Sequence, residues 1–154
     1  MTDVKVEEIF DCAFVSVTKK IASLDLCRKS DGSLKIDDEY AGSVYTTGMF
    51  NSLVVMEFSP AICKHIIFTM TNGAEVTDEE RLLYMKEYVN IVCGRAISAI
   101  NDETGSISRI TIPAFHSLEE IISEVDKKSK KIVLHYETDI GIICVSVYYN
   151  DFGK

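Results

Sequence analysis

Tryptophan is absent from this 154-residue chain and proline occurs only twice, so no proline-rich linker divides it. No stretch approaches the roughly 18 consecutive apolar residues of a membrane span. The opening MTDVKVEEIF has neither the basic n-region nor the apolar h-region of a secretory signal. Cys12, Cys27, Cys63, Cys93 and Cys144 are odd in number and far apart, with no CxxC and no Cys/His pair at metal-ligand spacing. They are expected to be reduced and mostly buried, in a cytoplasmic protein. GxxxxGK[ST] and GxGxxG are both missing, which argues against a nucleotide cofactor. Positive charge is scarce: 16 Lys and Arg face 24 Asp and Glu, a formal net charge of −8. Such a chain repels a phosphodiester backbone, and no basic patch interleaved with aromatics offsets that. The expected partner is a protein, with no nucleic acid and no membrane.

What is present is a balanced globular composition, 47% apolar and 26% charged, too apolar for disorder. The length argues for one domain over residues 1–154 with a core that needs no disulfide or structural metal. Val6, Ile9, Phe10, Ala13, Phe14, Val17 and Ile21 recur at spacings of three and four, predicting an amphipathic helix with Glu7, Glu8 and Asp11 in water. A short strand is predicted over Leu24–Arg28, ended by the turn chemistry of Lys29, Ser30, Asp31 and Gly32. Tyr40–Thr47 and Ser52–Phe58 read as an antiparallel hairpin turning near Gly48.

Ser59 followed by Pro60 predicts a hydroxyl N-cap and a second helix to about Met70, broken at Asn72 and Gly73. Thr77 with Glu80 forms a capping-box pattern opening a long third helix, Asp78 to about Ile100. Beyond it, Ile107–Ile112 reads as a strand closed by Pro113, Leu118–Val125 as a short helix, and Lys131–Glu137 with Gly141–Tyr149 as a final hairpin. The fold class is α+β, a largely antiparallel sheet of about six strands packed with three main helices. The apolar strands Leu53–Phe58 and Val145–Tyr149 would invite pairing between subunits if either were an edge. Asp37, Asp38 and Glu39 read as a solvated turn.

Along the third helix, Leu82, Met85, Val89, Val92, Ala96 and Ala99 form the expected core stripe. Glu87, Asn90 and Gly94 share a strip on the opposite side, continued by Leu83 and Ile97. Asparagine and glycine are poor helix-interior residues, glycine costing roughly 0.5–1 kcal/mol relative to alanine. Rules broken together tend to mark functional places. Equally, Glu87 could be solvated charge, Asn90 a tolerated polar residue and Gly94 a packing site against a strand; the residues alone leave both open. His65, His116 and His135 fall on three different elements without an HExxH pattern and read as surface or structural. Cys93, mid-helix beside the core stripe, lacks a basic cradle and reads as packing.

The segment Glu87-Tyr88-Val89-Asn90-Ile91-Val92-Cys93-Gly94-Arg95-Ala96 resembles the ExxN helix motif of the CheC/CheX/FliY phosphatases of bacterial chemotaxis, with Glu87, Asn90 and Gly94 at the motif's Glu, Asn and Gly. Tyr40-Ala41-Gly42-Ser43-Val44 through Gly48, the strand into Ser59-Pro60, Ile110-Thr111-Ile112-Pro113 and Thr138-Asp139-Ile140-Gly141 are similar to that family's other segments, in order from about Phe10 to Tyr149. One departure is Asn51 and Ser52 where a second glycine is expected after Gly48. The first helix holds no ExxN, so a single site places the resemblance in the CheX-like branch.

That resemblance implies a CheC-like fold, a homodimer, and hydrolysis of the aspartyl phosphate of a CheY-type response regulator. It implies no cofactor bound by this chain, the Mg²⁺ and a lysine being held by the partner. Phosphoryl transfer is mostly positioning and charge neutralisation, so the missing part is an oriented water, and a neutral amide suits that task. Asn90 is the expected water-orienting residue, Glu87 the group that meets the partner's lysine, and Leu83, Gly94 and Ile97 the partner contacts. The rival expectation is a non-catalytic response-regulator-binding or scaffold domain using the same helix face.

Overall fold

The computed structural model describes residues 1–30, 36 and 40–150, with Tyr40 described by its backbone alone; the acidic run Asp37–Glu39 and the turn residues Asp31 and Gly32 lie outside them. Helix α1 spans Asp3–Ala22, α2 Pro60–Met70, α3 Asp78–Thr104 and α4 Leu118–Ser123. The strands are β1 Cys27–Lys29, β2 Tyr40–Thr47, β3 Ser52–Phe58, β4 Arg109–Ile110, β5 Ala114–Ser117, β6 Lys130–Glu137 and β7 Ile142–Tyr149. They form one seven-stranded sheet in the order β1-β6-β7-β3-β2-β4, with β5 also on β2, and every pairing is antiparallel. The fold is α+β, as the element pattern predicts.

Strand alternation sends Val54, Met56 and Phe58 of β3 toward α1, α2 and α3, and Leu53 and Val55 to the other face. The main core combines Phe10 and Phe14 of α1 with Ile62 and Ile66 of α2, Tyr88 and Val92 of α3, and Leu134, Tyr136, Val145 and Val147 of the sheet. A smaller cluster on the opposite face joins Ala41, Leu53 and Val55 to Ile121 of α4. The Tyr45 hydroxyl donates to the Glu124 carboxylate, pinning the end of α4 to β2; that bond and partial burial push the phenol up to about 12.

Three hydroxyl bonds fasten α1. Tyr149 donates to Asp3, Tyr136 donates to Asp11 at 2.6 Å, and Thr18 pairs with Tyr88 at 2.5 Å. The Tyr149 bond, helped by Lys130, holds the Asp3 carboxyl below the usual carboxylate range.

Several local expectations change. β3 and β7 are neighbours inside the sheet, so neither offers an edge for subunit pairing; the path ends at β1 and β4. Ser59 makes no side-chain cap on α2: its hydroxyl accepts the Ile142 N–H at 2.8 Å, while its own N–H donates to the Ile142 carbonyl at 3.0 Å. Ser59 thus holds the N-cap position, its carbonyl accepting the Ile62 N–H at 3.0 Å, while its hydroxyl prolongs the β3–β7 ladder. The strand expected over Ile107–Ile112 is reduced to Arg109–Ile110, and β5 follows Pro113 unforeseen. Proline has no N–H for the ladder, so β2 changes partner, pairing β4 at Thr46–Thr47 and β5 at Tyr40–Ser43.

The cysteines are all free thiols but not mostly buried: Cys93 and Cys144 are buried, Cys63 is half-buried, and Cys12 and Cys27 are exposed. Burial pushes the Cys93 thiol up to about 12; burial, with Glu57 beside it, pushes Cys144 up to about 11. An aromatic disulfide reagent at pH 8 should therefore modify Cys12 and Cys27 rapidly in native protein and Cys93 and Cys144 only after denaturation. Equal rates at all positions, followed by mass spectrometry, would contradict this packing.

Candidate functional site: one face of helix α3

Helix α3 is closed at both ends by sequence-coded caps. The Thr77 hydroxyl accepts the Glu80 N–H and the Glu80 carboxylate accepts the Thr77 N–H, each at 3.2 Å, the reciprocal capping box. At the other end Gly105 adopts φ 68°, a left-handed cap whose N–H donates to the Asn101 carbonyl at 2.8 Å. Acidic Asp78, Glu79 and Glu80 in the first turn complement the helix dipole. The result is a rod of 27 residues, about 40 Å at 1.5 Å per residue.

Its buried side holds Met85, Tyr88, Val89, Val92, Cys93, Ala96, Ile97 and Ile100. Glu87 and Asn90 are exposed on the far side, while Tyr88 and Val89 between them are wholly buried. Among the described residues, neither Glu87 nor Asn90 takes part in an ion pair or side-chain hydrogen bond within the chain. Both polar ends are free to meet another molecule.

The remaining strip divides. Leu83 is 64% exposed, an aliphatic side chain in water one turn before Glu87. Ile97 is 3% exposed and belongs to the main core, so it cannot act as a surface contact. One turn further along, α3 holds a neighbour that helical periodicity does not report. Asn101 donates to the Ser108 carbonyl at 3.0 Å and accepts the Ser108 N–H at 2.8 Å, and the Ser108 hydroxyl accepts the Phe50 N–H at 3.0 Å. This amide clamp fastens the chain entering β4 to the last turns of α3, one turn beyond Ile97. Leu82 departs the other way: it is 42% exposed because the buried face of α3 begins only at Met85.

Gly94 is half-buried, and a Cβ built there would meet only the Ile110 Cδ1 at 3.9 Å, an ordinary contact. Packing inside the chain thus leaves room for a methyl and does not require glycine. Ile91 is a residue that periodicity overlooks: 37% exposed, it extends the wet face next to Asn90 and adds apolar surface to that of Leu83. The signal that could have found it is a branched aliphatic residue outside the core stripe and adjacent to the polar pair.

The three histidines stay apart. His65 in α2 bonds the Ala22 carbonyl through Nε2 at 2.8 Å, His116 lies in β5, and His135 in β6 buries Nδ1 without a hydrogen-bond partner. Among the described residues no group of three or more His, Cys, Asp or Glu side chains is arranged to hold a metal ion. No helix among them is long and apolar enough to cross a membrane.

The family described as chemotaxis phosphatase CheX matches residues 40–137, which run from β2 through all of α3 to the end of β6. The chain belongs to the CheX family. CheX from Desulfovibrio desulfuricans superposes with a TM-score of 0.76 at 16% identity, over 95% of this chain and 99% of that one. The CheX of a Borrelia burgdorferi CheX-CheY-BeF3-Mg²⁺ complex gives 0.73 at 19% identity, over 94% and 97%. Thermotoga maritima FliY gives 0.63 at 15% identity, over 99% and 92%. At these identities the likeness concerns the CheC-like fold. A comparison with curated protein sequences returned no significant match.

Proposed function

We propose that this CheX-family chain is a phosphatase for the aspartyl phosphate of a CheY-type response regulator, acting in the cytoplasm as a homodimer. The observation that carries the reading is the outward presentation of Glu87 and Asn90 from one side of a rigid, doubly capped helix whose intervening residues are core. CheY stands beside a CheX of this fold in the Borrelia burgdorferi complex, which supports a partner of the same kind here.

In the proposed reaction, Asn90 Oδ1 accepts a hydrogen from water and aims the water oxygen at phosphorus. The new P–O bond forms in line as the bond to the aspartyl carboxyl oxygen breaks. The products are a carboxylate, inorganic phosphate and the released proton. The chain itself binds no cofactor in this scheme; Mg²⁺ and a lysine on the response regulator neutralise the phosphoryl charge. Glu87 accepts a charge-assisted bond from that lysine and sets the depth of entry. Leu83 and Gly94 are the flanking contacts, the glycine letting the partner's surface come close to the backbone.

The test is phosphate release from phosphorylated CheY in Mg²⁺ with catalytic amounts of this protein. Acceleration is expected. A complex without acceleration would instead identify a non-catalytic binding domain using the same face. Glu87→Ala should weaken complex formation and lower the rate together, each by about tenfold, the worth of one charge-assisted bond of roughly 1.5 kcal/mol or more. Unaltered affinity, measured by titration against beryllofluoride-treated CheY, would remove Glu87 from docking.

A further inference from the structure

Tyr88 lies between Glu87 and Asn90 in the chain and points the opposite way. It is 0% exposed, its ring meets Phe58 edge-on with centroids 5.9 Å apart, and its hydroxyl lies 2.5 Å from the hydroxyl of Thr18 in α1. Thr18 is likewise 0% exposed. A threonine inside a helix commonly returns its hydroxyl to a carbonyl three or four residues back. Here the hydroxyl crosses to the other long helix instead. Among the described residues this is the one side-chain hydrogen bond joining α1 to α3.

We infer that Tyr88 and Thr18 are a positioning pair, whose buried hydroxyl bond fixes the rotation and register of α3 on α1 and thereby the heading of Glu87 and Asn90. Two features support this. First, Ala13 and Ala99 line the groove between these helices, and Ala96 is buried on the same helix. Alanine raises shallow ridges, which resist rotation and sliding less than interlocked larger side chains. A hydrogen bond of fixed geometry supplies the missing index mark. Second, two hydroxyls satisfying one another in a core can be exchanged for apolar groups of the same shape at little net loss of stability. Retaining the polar pair therefore has little purpose for stability and a clear one for direction. Burial also keeps the Tyr88 phenol far above its ordinary pKa, so its hydroxyl stays protonated across the working pH range.

The inference rests on the phosphatase reading for its kinetic arm alone. The test uses the full chain carrying Tyr88→Phe together with Thr18→Val, which keeps the packing shape, and Thr18→Ser, which keeps the hydroxyl. The double variant should retain the wild-type melting midpoint within a few degrees, lose about tenfold or more in kcat for stimulated dephosphorylation, and change KM by less than about threefold, since sub-ångström to 1 Å displacement costs rate steeply. Thr18→Ser should keep the wild-type kcat. The Asn90 side-chain amide resonance should shift in the double variant and not in Thr18→Ser. Wild-type kcat in the double variant, or an unshifted Asn90 resonance, overturns the proposal. If the double variant fails to fold, Tyr88→Phe alone is judged by the same two readouts. Should the wild-type protein fail to accelerate dephosphorylation, the phosphatase reading falls, and the Asn90 resonance alone decides on Tyr88 and Thr18.

Discussion

Replacing Asn90 by alanine should cut stimulated dephosphorylation of a CheY-type regulator by about 100-fold or more, a loss of the size expected when a reacting group is no longer held in line. Stability should hold or rise. The side chain is exposed and bonds nothing within the described chain, whereas alanine is the better helix former by roughly 0.5 kcal/mol, worth about 1–2 °C in melting midpoint. The opposed directions make the result specific: a core residue would lose both properties, a bystander neither. Phosphate release and a thermal melt on one preparation settle it. Full activity in the variant would remove Asn90 from the mechanism.

Gly48→Ala should be the most damaging substitution of a small residue for stability. Gly48 opens the β2–β3 turn at φ 115°, a conformation L-residues avoid, and an added Cβ would lie 2.8 Å from the Ile107 carbonyl oxygen and 3.0 Å from the Ser108 Cα. Backbone cannot step aside as a side-chain tip can. Strain and overpacking together should cost about 2–5 kcal/mol, a fall of roughly 5–15 °C in melting midpoint. The displaced segment contains Ser108, which the Asn101 amide clamps to the last turns of α3. Disorder should therefore spread to the cover of α3, detectable as faster amide exchange at Arg109 and Ile110. A variant that melts with the wild type would show that the turn relaxes freely.

What the sequence made legible was whatever is coded within a few residues. Thr77 with Glu80 announces the start of α3, Pro60 the start of α2, and the Val- and Tyr-rich alternation of β2 and β3 their hairpin; the structure reproduces the predicted limits of both strands. The polar strip on α3 was visible because Asn90 and Gly94 contradict helix propensity. Whatever depends on distant segments was not legible. Ile97 looked exposed because a helical wheel shows nothing of the tertiary core that takes it in. The Ser59 hydroxyl looked like the cap of α2 because Ile142, the partner it bonds, is 83 positions away. The two exposed cysteines looked buried because residue type predicts average burial, while α1 and β1 present these particular positions to water.

The pegging of α1 has a kinetic consequence. Asp3 meets Tyr149 across 146 positions, and Asp11 meets Tyr136 across 125. During synthesis the first helix emerges long before the strands that will receive it, and Val6, Phe10 and Phe14 are not fully covered until the β6–β7 hairpin is in place. Assembly thus waits for β7, and closes a loop of 146 positions whose entropic cost grows with its length. Until that closure, the nascent chain carries a greasy stripe that a chaperone could shield.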